Sequence, residues 1–200
     1  MTLGEKLLPV LVVVYVGRKL EAAIFRLPTF PILTAAPFRL RPPRRKEPVD
    51  VEMTRINPPL YLASTTITCR YCKAAMHAVA LIAPNVPETE GDVCILCDIT
   101  ELPDSVLSFI QSRFPTFRRQ FSKSAQSEYF ANTCPVCGVL SGDHYLHSEP
   151  GAPFFPTTDE EARRLTIDPV ALQGSIDVQA SLRMGSGDLI LNNGRSRESQ

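Results

Sequence analysis

The pattern of apolar and polar positions tightens past residue 58, and several elements can be read from it. Tyr61 to Thr68 is rich in β-branched and aromatic residues and predicts a strand leading into Cys69. His77 to Ala83 contains alanines that favour helix, but it sits between a Cys turn and Pro84, and we assign it as a short strand. Pro84 to Gly91 reads as a loop, and the mostly apolar run Asp92 to Ile99 as a buried strand. Pro103 to Phe114 predicts a helix: Pro103 suits a first turn, Val106, Ile110 and Phe114 share a face, and Pro115 disfavours continuation. Further on, Thr157 and Thr158 each precede a Glu by three positions, giving two overlapping capping boxes for a short helix from about 159 to 165. Asp159, Glu160 and Glu161 would lie at its positive end, with Arg163 and Arg164 nearer the negative end.

Before residue 55 the character differs. Half of the 18 prolines precede residue 60, and Arg39 to Pro48 is too basic and proline-rich to pack a core. Leu7 to Val16 is apolar, yet roughly twenty residues are needed to cross a bilayer as a helix, so no membrane span is expected. The run has the look of a signal-peptide core after Lys6, but Gly17-Arg18-Lys19 stands where a small-residue cleavage site belongs. We therefore expect a cytoplasmic protein. Residues 1–54 are read as a poorly ordered Pro/Arg-rich extension, with Met53 an alternative start, residues 55–170 as the folded domain, and residues 171–200 as a partly disordered tail.

Composition narrows the function only a little. With 200 residues there is room for one modest core, and 21 Lys/Arg against 21 Asp/Glu gives no global field for a general nucleic-acid binder. The balance conceals an asymmetry: residues 1–50 hold nine Lys/Arg against four Asp/Glu, and residues 51–200 hold twelve against seventeen.

The informative chemistry is in the cysteines. All six fall in three C-x-x-C pairs, Cys69 with Cys72, Cys94 with Cys97, and Cys134 with Cys137. Without a convincing signal peptide, such pairs argue for thiolate metal ligation in a reducing compartment, with Zn2+ the default ion. Cys134-Pro-Val-Cys137-Gly138 has the strongest knuckle character, because Pro fixes one φ and Gly tolerates the left-handed turn. Cys69-Arg-Tyr-Cys72-Lys73 adds cations that offset a Zn(Cys)4 charge. Cys94 and Cys97 sit three apart in a strand and point to opposite faces, so they are read as small buried hydrophobes. The ion is thus assigned to Cys69, Cys72, Cys134 and Cys137. Closing the 61 residues between Cys72 and Cys134 costs little more than closing a shorter loop. A compact alternative, Cys134, Cys137, His144 and His147, would orphan Cys69 and Cys72.

From Tyr129-Phe-Ala-Asn-Thr-Cys134-Pro-Val-Cys137-Gly through Gly142-Asp143-His-Tyr-Leu-His147 to Glu149-Pro-Gly-Ala-Pro-Phe-Phe-Pro156, the chain resembles a group of uncharacterised bacterial zinc-ribbon proteins. The resemblance covers about residues 58 to 170. It implies an α+β fold with a small zinc-ribbon-type antiparallel sheet and one or two short helices. It also implies the same two knuckles, with Cys94 and Cys97 as ordinary strand residues, and it leaves the role open.

Two functional classes remain. The first is a binding or adaptor module with a purely structural Zn2+, its partner a protein or single-stranded nucleic acid. For the latter, Arg113, Arg118, Arg119 and Lys123 interleave with Phe114, Phe117 and Phe121, although the net acidity of residues 51–200 favours reading these aromatics as core and the charges as a solvated face. The second class is an enzyme. Asp143, His144 and His147 have the residue types of a zinc-stapled HNH-like nuclease in the wrong order, and Cys69-x-x-Cys72 would suit a thiol oxidoreductase if it opened a helix. In the bland reading, Asp143 caps a turn and His147 packs in a strand.

Overall fold

The computed structural model describes residues 53–196. The expectations for the first 52 residues, among them the basic Pro-rich stretch and the apolar run Leu7 to Val16, fall outside these.

The fold is α+β and dominated by strands. A seven-stranded sheet is built from β1 (Thr54–Ile56), β2 (Leu60–Thr68), β3 (Ala75–Ala83), β4 (Cys94–Glu101), β8 (Thr166–Val170), β9 (Ile176–Arg183) and β10 (Arg195–Ser196), in the order β1-β9-β4-β3-β2-β8-β10. Its pairs are antiparallel except β10 with β8. A second, three-stranded antiparallel sheet is formed by β5 (Phe117–Ser122), β6 (Ser127–Thr133) and β7 (Leu140–Ser141). The α-helices among the described residues are α1 (Asp104–Arg113), α2 (Asp143–His147), α3 (Asp159–Ala162) and α4 (Gly187–Asn193).

The large sheet is covered on both faces, which explains why β3 and β4 read as near-continuous apolar runs. Val79, Leu81, Cys94 and Leu96 face one core with Val106 and Ile110 of α1 and Phe114 and Phe117. Ala78, Ala80, Ile82, Ile95 and Cys97 face the other, with Leu146 of α2, Phe154, Leu165 and Ile190 of α4. The helix predicted over Pro103 to Phe114 is α1, with these two residues as its caps and Val106 and Ile110 buried. The capping box also forms: Thr158 Oγ1 accepts from Glu161 N–H at 3.2 Å, while the Glu161 carboxylate accepts from Thr157 N–H at 2.7 Å. The helix stops at Ala162, short of the predicted 165.

Two expectations need correction. The sheet is larger than a small ribbon, because strands from the C-terminal region join it. The boundary drawn at residue 170 cuts through this sheet: β9 lies between β1 and β4, its Val178 and Ala180 are buried, and α4 packs Ile190 into the second core. Polar spacing hid these elements. Gly187 and Gly194, which fall in the stretch expected to be a partly disordered tail, are close-approach points where a Cβ would strike Val93 and Ile167 respectively.

Candidate metal centre

Two hairpins bring the predicted knuckles together. β2 and β3 are joined by the turn containing Cys69 and Cys72, and β6 and β7 by the turn containing Cys134 and Cys137. The turns share one bonding scheme. Cys69 N–H donates to Ala74 O at 2.8 Å and Lys73 N–H to Cys69 O at 3.0 Å. In the second turn Cys134 N–H donates to Val139 O and Gly138 N–H to Cys134 O, both at 3.0 Å. Each turn closes with a left-handed residue after its second cysteine, Lys73 at φ 63° and Gly138 at φ 72°.

The four thiol sulfurs lie within 4.8 Å of one another. Cys69 Sγ stands 3.7 Å from Cys137 Sγ, and Cys72 Sγ 3.6 Å from Cys134 Sγ. A tetrahedron with Zn–S bonds near 2.3 Å has edges of about 3.8 Å, so the sulfurs already sit at the spacing of a four-thiolate site. Disulfide bonding requires about 2.05 Å and is excluded at these distances. Backbone amides favour thiolate at two positions: the N–H of Cys72, then that of Tyr71, lowers Cys69 to about 6, and the N–H of Cys137, then that of Val136, lowers Cys134. Cys137 receives the Val139 N–H, yet burial and the surrounding sulfurs push it up to about 12. Four sulfurs this close cannot all carry charge without a cation among them.

Anchoring of the second hairpin depends on Asn132, the residue two before Cys134. β4 pairs with β3 only along Leu81 to Ala83, which leaves the earlier edge of β3 open. The buried Asn132 side chain fills the gap, accepting from Val79 N–H at 2.8 Å and donating to Val79 O at 2.9 Å. Tyr129 and Ala131 are buried beside it on β6, so the Y-x-A-N-x-C pattern is a packing and bridging device for the knuckle.

The middle cysteines stay out of this cluster. Cys94 and Cys97 enter opposite cores, and burial raises both thiols, Cys97 to about 12. Cys97 is nevertheless more than a filler: its sulfur gathers with Asp143 and His147, their ligand atoms within 4.8 Å of one another. Asp143 and His147 come from α2, where a turn and a strand were expected. Asp143 caps no turn; its Oδ2 accepts from Asp98 N–H at 2.6 Å, and burial raises its carboxyl to about 7. His147 is lowered to about 3, mainly by burial and then by Arg183. The i,i+4 spacing of Asp143 and His147 was the available signal, legible only once that segment is taken as helix.

The enzyme alternatives gain little geometry. His144 is exposed and rests edge-on to Tyr145 at 6.2 Å, so it joins neither His147 nor the knuckle sulfurs. Cys69-x-x-Cys72 opens a hairpin turn rather than a helix. In the basic segment, Phe114 and Phe117 are buried, which leaves Phe121 as its exposed aromatic beside Arg113, Arg118, Arg119 and Lys123. Arg119 lies over Phe130 and donates to Thr100 O. No helix among the described residues is long and apolar enough to cross a membrane.

What fold and geometry define is a strand-rich α+β chain with a tetrathiol cluster able to hold a metal ion. Compared with protein-family models, curated proteins and solved structures, the chain finds no match in any of the three.

Proposed function

We propose that this is a cytoplasmic zinc-ribbon protein in which Cys69, Cys72, Cys134 and Cys137 hold one structural Zn2+, and that the stapled ribbon serves as a binding or adaptor module. The observation that carries it is the sulfur spacing of 3.6 and 3.7 Å between cysteines of different hairpins. Four thiolates saturate tetrahedral zinc, so the ion would hold structure and activate no water. It would join the edge of the small sheet to the large one, where Met76 is the buried apolar support.

The ribbon end also supplies the binding face. Tyr71 and Val136, the knuckle tips, are 76% and 71% exposed, and Arg70 stacks over Tyr145 with its guanidinium carbon 3.3 Å from the ring centroid. An open groove of about 230 Å³ lies beside the first knuckle, lined by Cys69, Arg70, Tyr71, Val139 and Tyr145 among others. Exposed aromatic and aliphatic tips with one stacked Arg favour a protein partner. Burial of Phe114 and Phe117 weighs against the single-stranded nucleic-acid reading.

Metal analysis of the reduced full chain tests the assignment. Bound zinc should be present, and the Cys69→Ser and Cys134→Ser double variant should lose one equivalent and unfold at far lower temperature. Structural zinc contributes on the order of 10 kcal/mol. Equal zinc content in wild type and double variant would refute it. Single-stranded oligonucleotide binding at low salt that Arg118→Glu with Arg119→Glu abolishes would replace the protein partner with nucleic acid.

A further inference from the structure

A second set of donor atoms closes away from the ribbon sulfurs. Cys97 of β4 and Asp143 and His147 of α2 contribute one sulfur, one carboxylate oxygen and one ring nitrogen, all within 4.8 Å. All three residues are buried. Their positions are fixed by separate devices. Asp143 and His147 lie one helical turn apart, with Asp143 Oδ1 4.0 Å from His147 Nε2. The other oxygen, Oδ2, is held by Asp98 N–H. That amide is free to donate because β4 leaves regular geometry there: Asp98 has φ 49°, and the pairing of β4 with β9 shifts between Cys97 and Glu101. The His147 ring is stacked on Phe154, centroids 5.3 Å apart and planes 24° from parallel. Its Nδ1 is buried with no hydrogen-bond partner.

We propose that Cys97, Asp143 and His147 form a second cation site, for a divalent ion of the zinc class. Thiolate and imidazole donors select a borderline transition ion over Mg2+ or Ca2+, which prefer oxygen ligands. Tetrahedral edges for Zn–N, Zn–O and Zn–S bonds are about 3.3–3.8 Å, so the carboxylate and imidazole need only a small approach. A cavity of about 10 Å³ also touches Asp143, His147 and Asn132, but apolar side chains such as Leu81, Leu96 and Phe117 form most of its wall and Cys97 does not line it, so it lies beside the donor set and not within it. Arg183 faces Cys97 and His147, and the carboxylate of Asp98 faces Cys97 and Asp143. These two flanking charges offset each other, so a dication matched by one thiolate and one carboxylate leaves the pocket neutral. The ion would pin α2 to the irregular part of β4. With all three donors buried, it would meet no substrate there.

The test is a Co2+ and Zn2+ titration of the full-length reduced chain after chelator stripping, followed by visible absorption and metal analysis. Wild type should take two equivalents. Cys97→Ala and His147→Gln should each take one and keep the four-thiolate Co2+ spectrum. The Cys69→Ser and Cys134→Ser double variant should keep one equivalent, with the weaker charge-transfer band of a single thiolate. A wild-type stoichiometry of one that Cys97→Ala does not change would overturn the second site and leave the ribbon standing. Loss of metal in Cys97→Ala but not in the double variant would do the reverse. Should a variant fail to fold, 113Cd NMR of the wild type decides: an all-sulfur and a mixed-donor resonance support the second site, and a lone all-sulfur resonance removes it.

Discussion

At the residue scale the two knuckles offer an internal comparison. Gly138 and Lys73 occupy the same left-handed position after a cysteine, at φ 72° and 63°, and glycine adopts that region freely whereas other L-residues are disfavoured there. A Cβ on Gly138 would meet nothing within 4 Å, so the cost of Gly138→Ala is conformational alone. Gly138→Ala should therefore destabilise by about 1 kcal/mol, and Lys73→Gly should stabilise by about 0.5–1 kcal/mol, both read from chemical denaturation of the metal-loaded chain. The exposed Lys73 Nζ bond to Arg70 O at 3.0 Å is too weak to reverse the sign. That the four sulfurs cluster was legible from spacing because a C-x-x-C turn is a local motif. Cys97 was read as a plain apolar residue, since its company with Asp143 and His147 depends on a strand and a helix remote in sequence.

At the scale of elements, local chemistry predicted α1, α3 and the strands β2, β3 and β4, each marked by apolar period, prolines or caps within its own span. It missed α2, a helix of five residues whose N-cap Gly142 makes no side-chain cap bond and which is held instead by Leu146 and His147 in the core. The cap of α3 carries a pH signature. Glu161 is lowered from its ordinary 4.5, first by Thr157 N–H and then by the Thr157 hydroxyl. A carboxylate with a depressed folded pKa adds stability above its unfolded value and loses it as pH falls through the folded one. The melting-temperature advantage of wild type over Glu161→Gln should therefore be full near pH 7 and fade below about pH 4.5. An advantage independent of pH would mean that hydrogen bonding, and not charge, holds the cap.

At the scale of the whole molecule, the decisive feature is that the large sheet is completed by its last strands. β9 separates β1 from β4, and Gly187 lets α4 approach so closely that a Cβ there would stand 2.5 Å from Val93 Cγ1. A chain ending at Val170 loses β9, α4 and β10, exposing Leu96 and Cys97 on their two faces, and should show no cooperative thermal transition by circular dichroism. A cooperative melt in that truncation would show that the first eight strands suffice. The amino-acid order by itself determined which sulfurs fall in paired C-x-x-C turns, the elements α1, α3, β2, β3 and β4, and that Cys94 and Cys97 face opposite ways, because these follow from contacts within a few residues. Only the tertiary structure decided how far the sheet extends and that Cys97 meets Asp143 and His147, because both are set by packing between segments whose mutual approach no local pattern encodes.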